Sequence, residues 1–238
     1  MSEIEKKMWR KVDRSVYLLR ICPFVRMVAV CNNLAFGAVD EKSDIDLFIV
    51  AKTGRLFIAR SFITIVLHIF GLRRHGDKVA GRFCLSFFVD DSFLNLSSIA
   101  IENDIYLAYW VKSMKPIIDD GVSVEFLYEN LWAKRFFTES EDFVVDTSRI
   151  TGTKSFFSKV LEKMLGDGFG DFLELKLKSW QLRRARKKAC LAGESSSLIV
   201  EEHILKFHNV DRRREYRRLW IQRHGENAKL KRGELLFP

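Results

Sequence analysis

At 238 residues, 47% apolar and with 20 Phe, the chain can bury a core as one large domain or two small ones. It carries 40 basic and 31 acidic side chains for a net charge of +9, and the excess is local: residues 1–150 hold 20 of each sign, residues 151–238 hold 20 basic and 11 acidic. Cys22, Cys31, Cys84 and Cys190 lie far apart with no CxxC pair, which excludes a metal-finger framework and points to free thiols in a reducing, cytoplasmic compartment. The N-terminal stretch MSEIEKKMWRK is charged and lacks the apolar core of a signal peptide. The basic C-terminal part invites an anionic partner such as RNA, DNA or nucleotide; its plain alternative is a solvated helical surface.

Residues 3–20 predict a helix whose Trp9, Val12, Val16 and Leu19 form one apolar stripe, ended by Pro23. Residues 25–31 predict a first strand, and residues 34–38 a short helix whose free N–H groups suit a phosphate. Residues 43–51 predict a second strand. On it Asp44 and Asp46 share one face, while Ile45, Leu47 and Ile49 share the other. Carboxylates held that close repel unless a cation lies between them, and Mg²⁺ favours a few carboxylates plus substrate phosphates.

Residues 55–71 predict an apolar helix broken by Arg60 and His68. Its uninterrupted part is too short to span a membrane, so a buried helix is expected and an interfacial one is the alternative. The loop Arg73-Arg74-His75-Gly76-Asp77-Lys78 is basic and flexible, either a triphosphate clamp or an ordinary exposed turn. Residues 82–89 predict a third strand with Cys84 and Ser86 in its middle and Asp90 and Asp91 at its end.

A further helix is expected within residues 97–114, with Tyr106, Tyr109 and Trp110 as core or interface aromatics. An edge strand starts at Pro116, and a helix capped by Ser123 runs to Phe137. Residues 138–152 are polar and read as a linker. From Ser155 the pattern is helical throughout. Helices cover 155–165 and 171–191, parted by a glycine-rich turn at 166–170. The second carries the basic run from Arg183 to Lys188, and a loop follows at 193–197. Asp211 then caps a helix reaching 221. There Arg213, Arg214, Arg217 and Arg218 lie near Tyr216 and Trp220, a mixture that can grip single-stranded nucleic acid. His203 and His208 have no ligand-like spacing and read as structural.

The stretch from Cys31 to Val50 resembles the signature of the DNA-polymerase-β-like nucleotidyltransferase superfamily, in particular its minimal members. There a strand ends in Gly-Ser, a helix opens, and Ser-Asp-Ile-Asp-Leu follows about ten residues later. Ser43-Asp44-Ile45-Asp46-Leu47 match without a change, and Leu34-Ala35-Phe36-Gly37 match the small-residue turn. Asn32-Asn33 stand where Gly-Ser is found. Asn tolerates left-handed backbone better than most residues, and its amide can donate to a phosphate. The family's third carboxylate, a base or second-metal ligand, is replaced by Cys84 and Ser86.

The resemblance implies an α+β fold, with a small mixed β-sheet nucleotidyltransferase domain over 1–120 and an all-helical, basic region over 121–238. It implies Mg²⁺ held by catalytic Asp44 and Asp46, an NTP such as ATP held near Asn32, Asn33, Gly37 and Ser43, and transfer of a nucleoside monophosphate to an acceptor hydroxyl. The acceptor it implies is a nucleic acid or a protein. The alternative is an impaired nucleotidyltransferase-like module that binds nucleotide or RNA without turnover.

Overall fold

A computed structural model describes residues 1–138, 143–144, 146–192, 198–207, 211–225 and 228–230. Helix α1 (Glu3–Leu19) opens on Ser2, whose hydroxyl accepts from the Glu5 amide at 3.1 Å. Its stripe of Met8, Trp9, Val12, Val16 and Leu19 is buried, as the i, i+3, i+4 spacing requires.

The core is a mixed sheet of β1 (Val25–Cys31), β2 (Ile45–Ala51), β3 (Phe83–Asp90), β4 (Lys115–Asp119), β5 (Ile199–Val200) and β6 (Ile204–Lys206), in the order β4-β1-β2-β3-β6-β5. β1 runs antiparallel to β2 and β4, whereas β2 and β3 are parallel and pair Asp46 with Cys84. The parallel crossover carries α3 (Leu56–Ile69), as such a connection demands. α2 (Asn32–Phe36) links β1 to β2 and closes on Gly37, whose φ of 74° continues no helix.

On one sheet face Phe48 of β2 meets Phe87, Trp110 and Phe126 at ring-centroid distances of 5.0, 5.1 and 5.3 Å. Trp110 belongs to α4 (Ile105–Ser113) and Phe126 to α5 (Val122–Glu129). α3 packs against α7 (Gly168–Ala192), which follows α6 (Phe156–Met164). Buried Glu174 of α7 takes the Phe57 and Ile58 amides at 2.9 and 2.8 Å, two of the donors that the start of α3 leaves unpaired. α8 (Arg213–His224) packs on α4. No described helix is long and apolar enough to cross a membrane.

Three expectations are corrected. The C-terminal part is not helical throughout: β6 pairs with Phe87–Val89 of β3, and β5 extends that edge. Two strands of two and three residues are too short to show a period; β6 exists because β3 offers it a ladder, and β5 because β6 does. The helix expected over 123–137 is α5 followed by a 3₁₀ segment, Leu131–Phe136. Its cap is Asp119, which takes the Val122 and Ser123 amides at 2.9 and 3.0 Å, with the Ser123 hydroxyl as a further donor. The last helix begins at Arg213, and Asp211 accepts its amide at 3.0 Å. Part of the expected linker (139–142 and 145), the loop at 193–197, His208 and the Lys188 side chain lie outside the described residues.

Candidate active site

Asp44 precedes β2, Asp46 lies within it, and Cys84 sits beside Asp46 on β3. One carboxylate oxygen from each Asp and the Cys84 Sγ lie within 4.8 Å of one another. The strand expected from residue 43 begins at Ile45, so Asp44 stands one residue outside it; the two-residue offset still brings its carboxylate toward that of Asp46, and the parallel register brings the thiol alongside. The chemistry of this set suits a divalent cation: two anionic oxygens and one potential thiolate converge on one point. A divalent ion there would be held by Asp44, Asp46 and Cys84.

The surroundings of each member differ. Asp44 Oδ2 accepts from Arg74 Nη1 at 2.6 Å, and the same nitrogen lies 3.9 Å from Cys84 Sγ. Burial alone would lower the Arg74 pKa, but its bond and attraction to Asp44 hold it above the ordinary value. Asp46 accepts from the Ser86 hydroxyl at 3.4 Å. Burial, and then the Asp44 charge, push its carboxyl up to about 6, against bonds from Asn32 and Cys84. The Cys84 thiol is raised by burial and by the two neighbouring carboxylates.

Both acids face a cleft of about 1040 Å³. It runs along the part of β3 that β6 leaves uncovered, since β6 pairs only with Phe87–Val89. Its walls carry Arg60 of α3, Arg73 and Arg74 of the loop, and Trp180 and Arg184 of α7. Arg60 is held by Gln181 Oε1 at 2.5 Å and stacks on Phe207 with its guanidinium carbon 4.8 Å from the ring centre. Burial lowers its pKa to about 10, far enough above neutrality to keep it cationic.

The other residues singled out from sequence fall as follows. Asn32 takes a left-handed φ of 54°, the backbone a Gly would adopt freely, and its Oδ1 accepts from the Tyr106 hydroxyl at 3.3 Å. Asn33 is exposed at the start of α2. Gly37 is an exposed turn residue. The Ser43 hydroxyl is engaged in its own turn, donating to Asp40 Oδ1 at 2.7 Å and accepting from the Asp40 amide at 3.0 Å.

Asp90 and Asp91 end β3 away from this cluster and have partners of their own. Asp90 holds His203 and Ser92, and Asp91 holds Arg26 and Thr53. The basic face of the last helix is divided, with Arg214 and Arg218 exposed and Arg213 and Arg217 engaged in packing. Arg213 pairs with Asp211 and Asp104, Arg217 donates to the Glu102 carbonyl, and Tyr216 stacks on Tyr106.

Sequence reasoning did not assign Arg60 or Trp180 to the site. A lone Arg in an otherwise apolar helix was the available signal for the first. An exposed Trp within a basic helix leaves too many alternatives. No protein-family model, curated protein or solved structure matches the chain.

Proposed function

We propose that the protein is a nucleotidyltransferase that takes an NTP and a divalent cation into this cleft and passes the nucleoside monophosphate to an acceptor hydroxyl. The observation that carries the reading is the convergence of Asp44 and Asp46 on one point at a cleft whose walls include Arg60, Arg73, Arg74 and Arg184. Paired acids facing a cationic wall suit a polyphosphate bridged to protein by a metal ion. The resemblance of Ser43–Leu47 to the superfamily signature and the mixed sheet with β2 at its centre support the same reading.

In that site Asp44 and Asp46 anchor the cation, which when bound neutralises phosphate charge and polarises the α-phosphorus. Arg74 moves from Asp44 to a phosphate, and Arg60 and Arg73 supply further positive charge. Exposed Trp180 offers a stacking face for the base. The acceptor oxygen bonds to the α-phosphorus as the bond to the β-phosphate oxygen breaks. Pyrophosphate leaves, and the acceptor proton passes to solvent.

A second reading, nucleotide binding without turnover, is favoured by one observation: the residue beside Asp46 is Cys84 rather than a third carboxylate. Labelled ATP, CTP, GTP and UTP with Mg²⁺, Mn²⁺ or Zn²⁺ separate the two. Label transfer or pyrophosphate release that falls by about 1000-fold in Asp44→Asn/Asp46→Asn is the expected result for the enzyme, since metal charge stabilisation amounts to several kcal/mol. Binding with no release supports the second reading. No binding of any NTP overturns both.

A further inference from the structure

We propose that Cys84 is a third ligand to the ion, so that the site selects a thiophilic divalent cation of the zinc class over Mg²⁺. The inference rests on the reading of the cleft as metal-dependent, and it concerns which ion the cleft was built for.

The argument begins with the sheet. Cys84 is the register partner of Asp46 on the adjacent parallel strand, so its position is fixed by the backbone ladder. Its Sγ lies within 4.8 Å of a carboxylate oxygen from each Asp. Cys84 is in no disulfide, and the cleft reaches it. Three ligands arranged tetrahedrally, with metal–sulfur near 2.3 Å and metal–oxygen near 2.0–2.2 Å, sit roughly 3.5 Å apart. Small rotamer changes close the gap. A fourth position then faces the cleft, open to water or a phosphate oxygen, the arrangement of a catalytic rather than a structural zinc site.

Mg²⁺ demands near-ideal octahedral oxygen coordination at about 2.0–2.1 Å and gains little from sulfur. Zinc-class ions gain from a thiolate and accept carboxylates as well. Ser86 adds outer-sphere support, since its hydroxyl lies 3.4 Å from Asp46 Oδ1 and can fix that carboxylate's rotamer.

Arg74 marks the same point electrostatically. Its Nη1 already lies between Asp44 and Cys84, at 2.6 and 3.9 Å. Its side chain is 45% exposed on a surface loop, so it can withdraw into the cleft when an ion arrives. The exchange balances without redox chemistry. The Cys84 S–H bond breaks, the proton leaves to solvent, and the sulfur electron pair forms the bond to the ion, whose oxidation state is unchanged.

The test uses the full chain in a Cys190→Ser background, which removes the exposed thiol. Co²⁺ and Cd²⁺ are titrated while the near-ultraviolet thiolate-to-metal charge-transfer absorption is followed, with Mg²⁺ as competitor. One equivalent of ion is expected to develop the band, and a hundredfold excess of Mg²⁺ is expected not to erase it. Cys84→Ser should lose the band and bind Cd²⁺ at least about 100-fold more weakly, the upper end of what even outer-sphere changes cost. Cys84→Asp should instead gain Mg²⁺ affinity. Ion binding without the band, or displacement by equal Mg²⁺, overturns the inference. If Mg²⁺ supports NTP binding equally in wild type and Cys84→Ser, the thiol inference alone falls. If neither ions nor NTP bind and Asp44→Asn/Asp46→Asn changes nothing, the nucleotidyltransferase reading falls with it.

Discussion

Two of the chain's closely spaced aspartate pairs, Asp44/Asp46 and Asp90/Asp91, are treated oppositely by the structure. At one end of the sheet Asp90 and Asp91 are closed off by their own neighbours. Asp90 is buried and holds the His203 ring at 2.7 Å and the Ser92 hydroxyl at 2.6 Å. Asp91 takes the Thr53 amide at 2.8 Å and Arg26 at 3.0 Å. At the other end Asp44 and Asp46 stand together over a cleft, with the half-exposed tip of Arg74 bonded to Asp44 between them and solvent-borne ligands. A carboxylate with a full set of donors contributes to folding. One left with an unmet demand for positive charge is available for binding, and its cost is carried by the fold.

The sharpest way to test that contrast is to neutralise Asp46. Its carboxyl is raised from 3.8 to about 6, so it holds its proton more tightly folded than unfolded. The sign follows: this contribution to stability is full below pH 3.8 and is lost as pH rises through about 6. The Asp46 contribution to metal-free stability should therefore shrink between those values, by at most on the order of 3 kcal/mol, read as the difference between wild type and Asp46→Asn. Asp46→Asn should recover most of that at pH 7 while abolishing ion binding, read by urea unfolding in chelator beside a metal titration. A variant less stable than wild type at pH 7 would break the comparison.

The opposite outcome is expected at the far end. Asp90→Ala should cost about 1–2 kcal/mol, because it removes a buried carboxylate together with its bonds to Ser92 and His203, and should leave ion binding at the cleft unchanged. Equilibrium unfolding and the same titration measure both. A loss of ion binding without a loss of stability would reverse the two roles.

The smallest effect sharpens the site end. Asn32 adopts φ of 54°, so Asn32→Gly should be nearly neutral in stability, whereas Asn32→Ala should cost about 1–2 kcal/mol through the left-handed backbone. Equal costs for the two variants would show that the side chain, with its bond to Tyr106, outweighs the backbone.

These contrasts show which features local pattern carries. The apolar stripe of α1, the i, i+2 placement of Asp44 and Asp46, the breakpoints at Pro23 and Gly54, and the left-handed tolerance of Asn32 all depend on neighbours within a few residues. The two-residue offset brings both carboxylates to one side of the chain as it enters β2, because extended backbone repeats every second residue. Ser155 as a helix cap is local in the same way, accepting from the Ser158 amide at 3.1 Å.

What the tertiary structure alone decided is partnership across long separations. β6 is a strand only because β3 lies beside it, and the start of α3 is held by Glu174 from 117 positions away. Arg74 reaches Asp44 across 30 positions, and Gln181 orients Arg60 across 121. Cys84 faces the acids because of the parallel register of β2 and β3, which no local period encodes. The amino-acid order thus determined that two carboxylates stand two residues apart where β2 begins. The fold determined that a thiol stands third beside them and that arginines from three separate segments wall the cleft they face. Side-chain direction along one strand is a property of its own backbone, whereas the identity of a neighbour is a property of how strands and helices are packed.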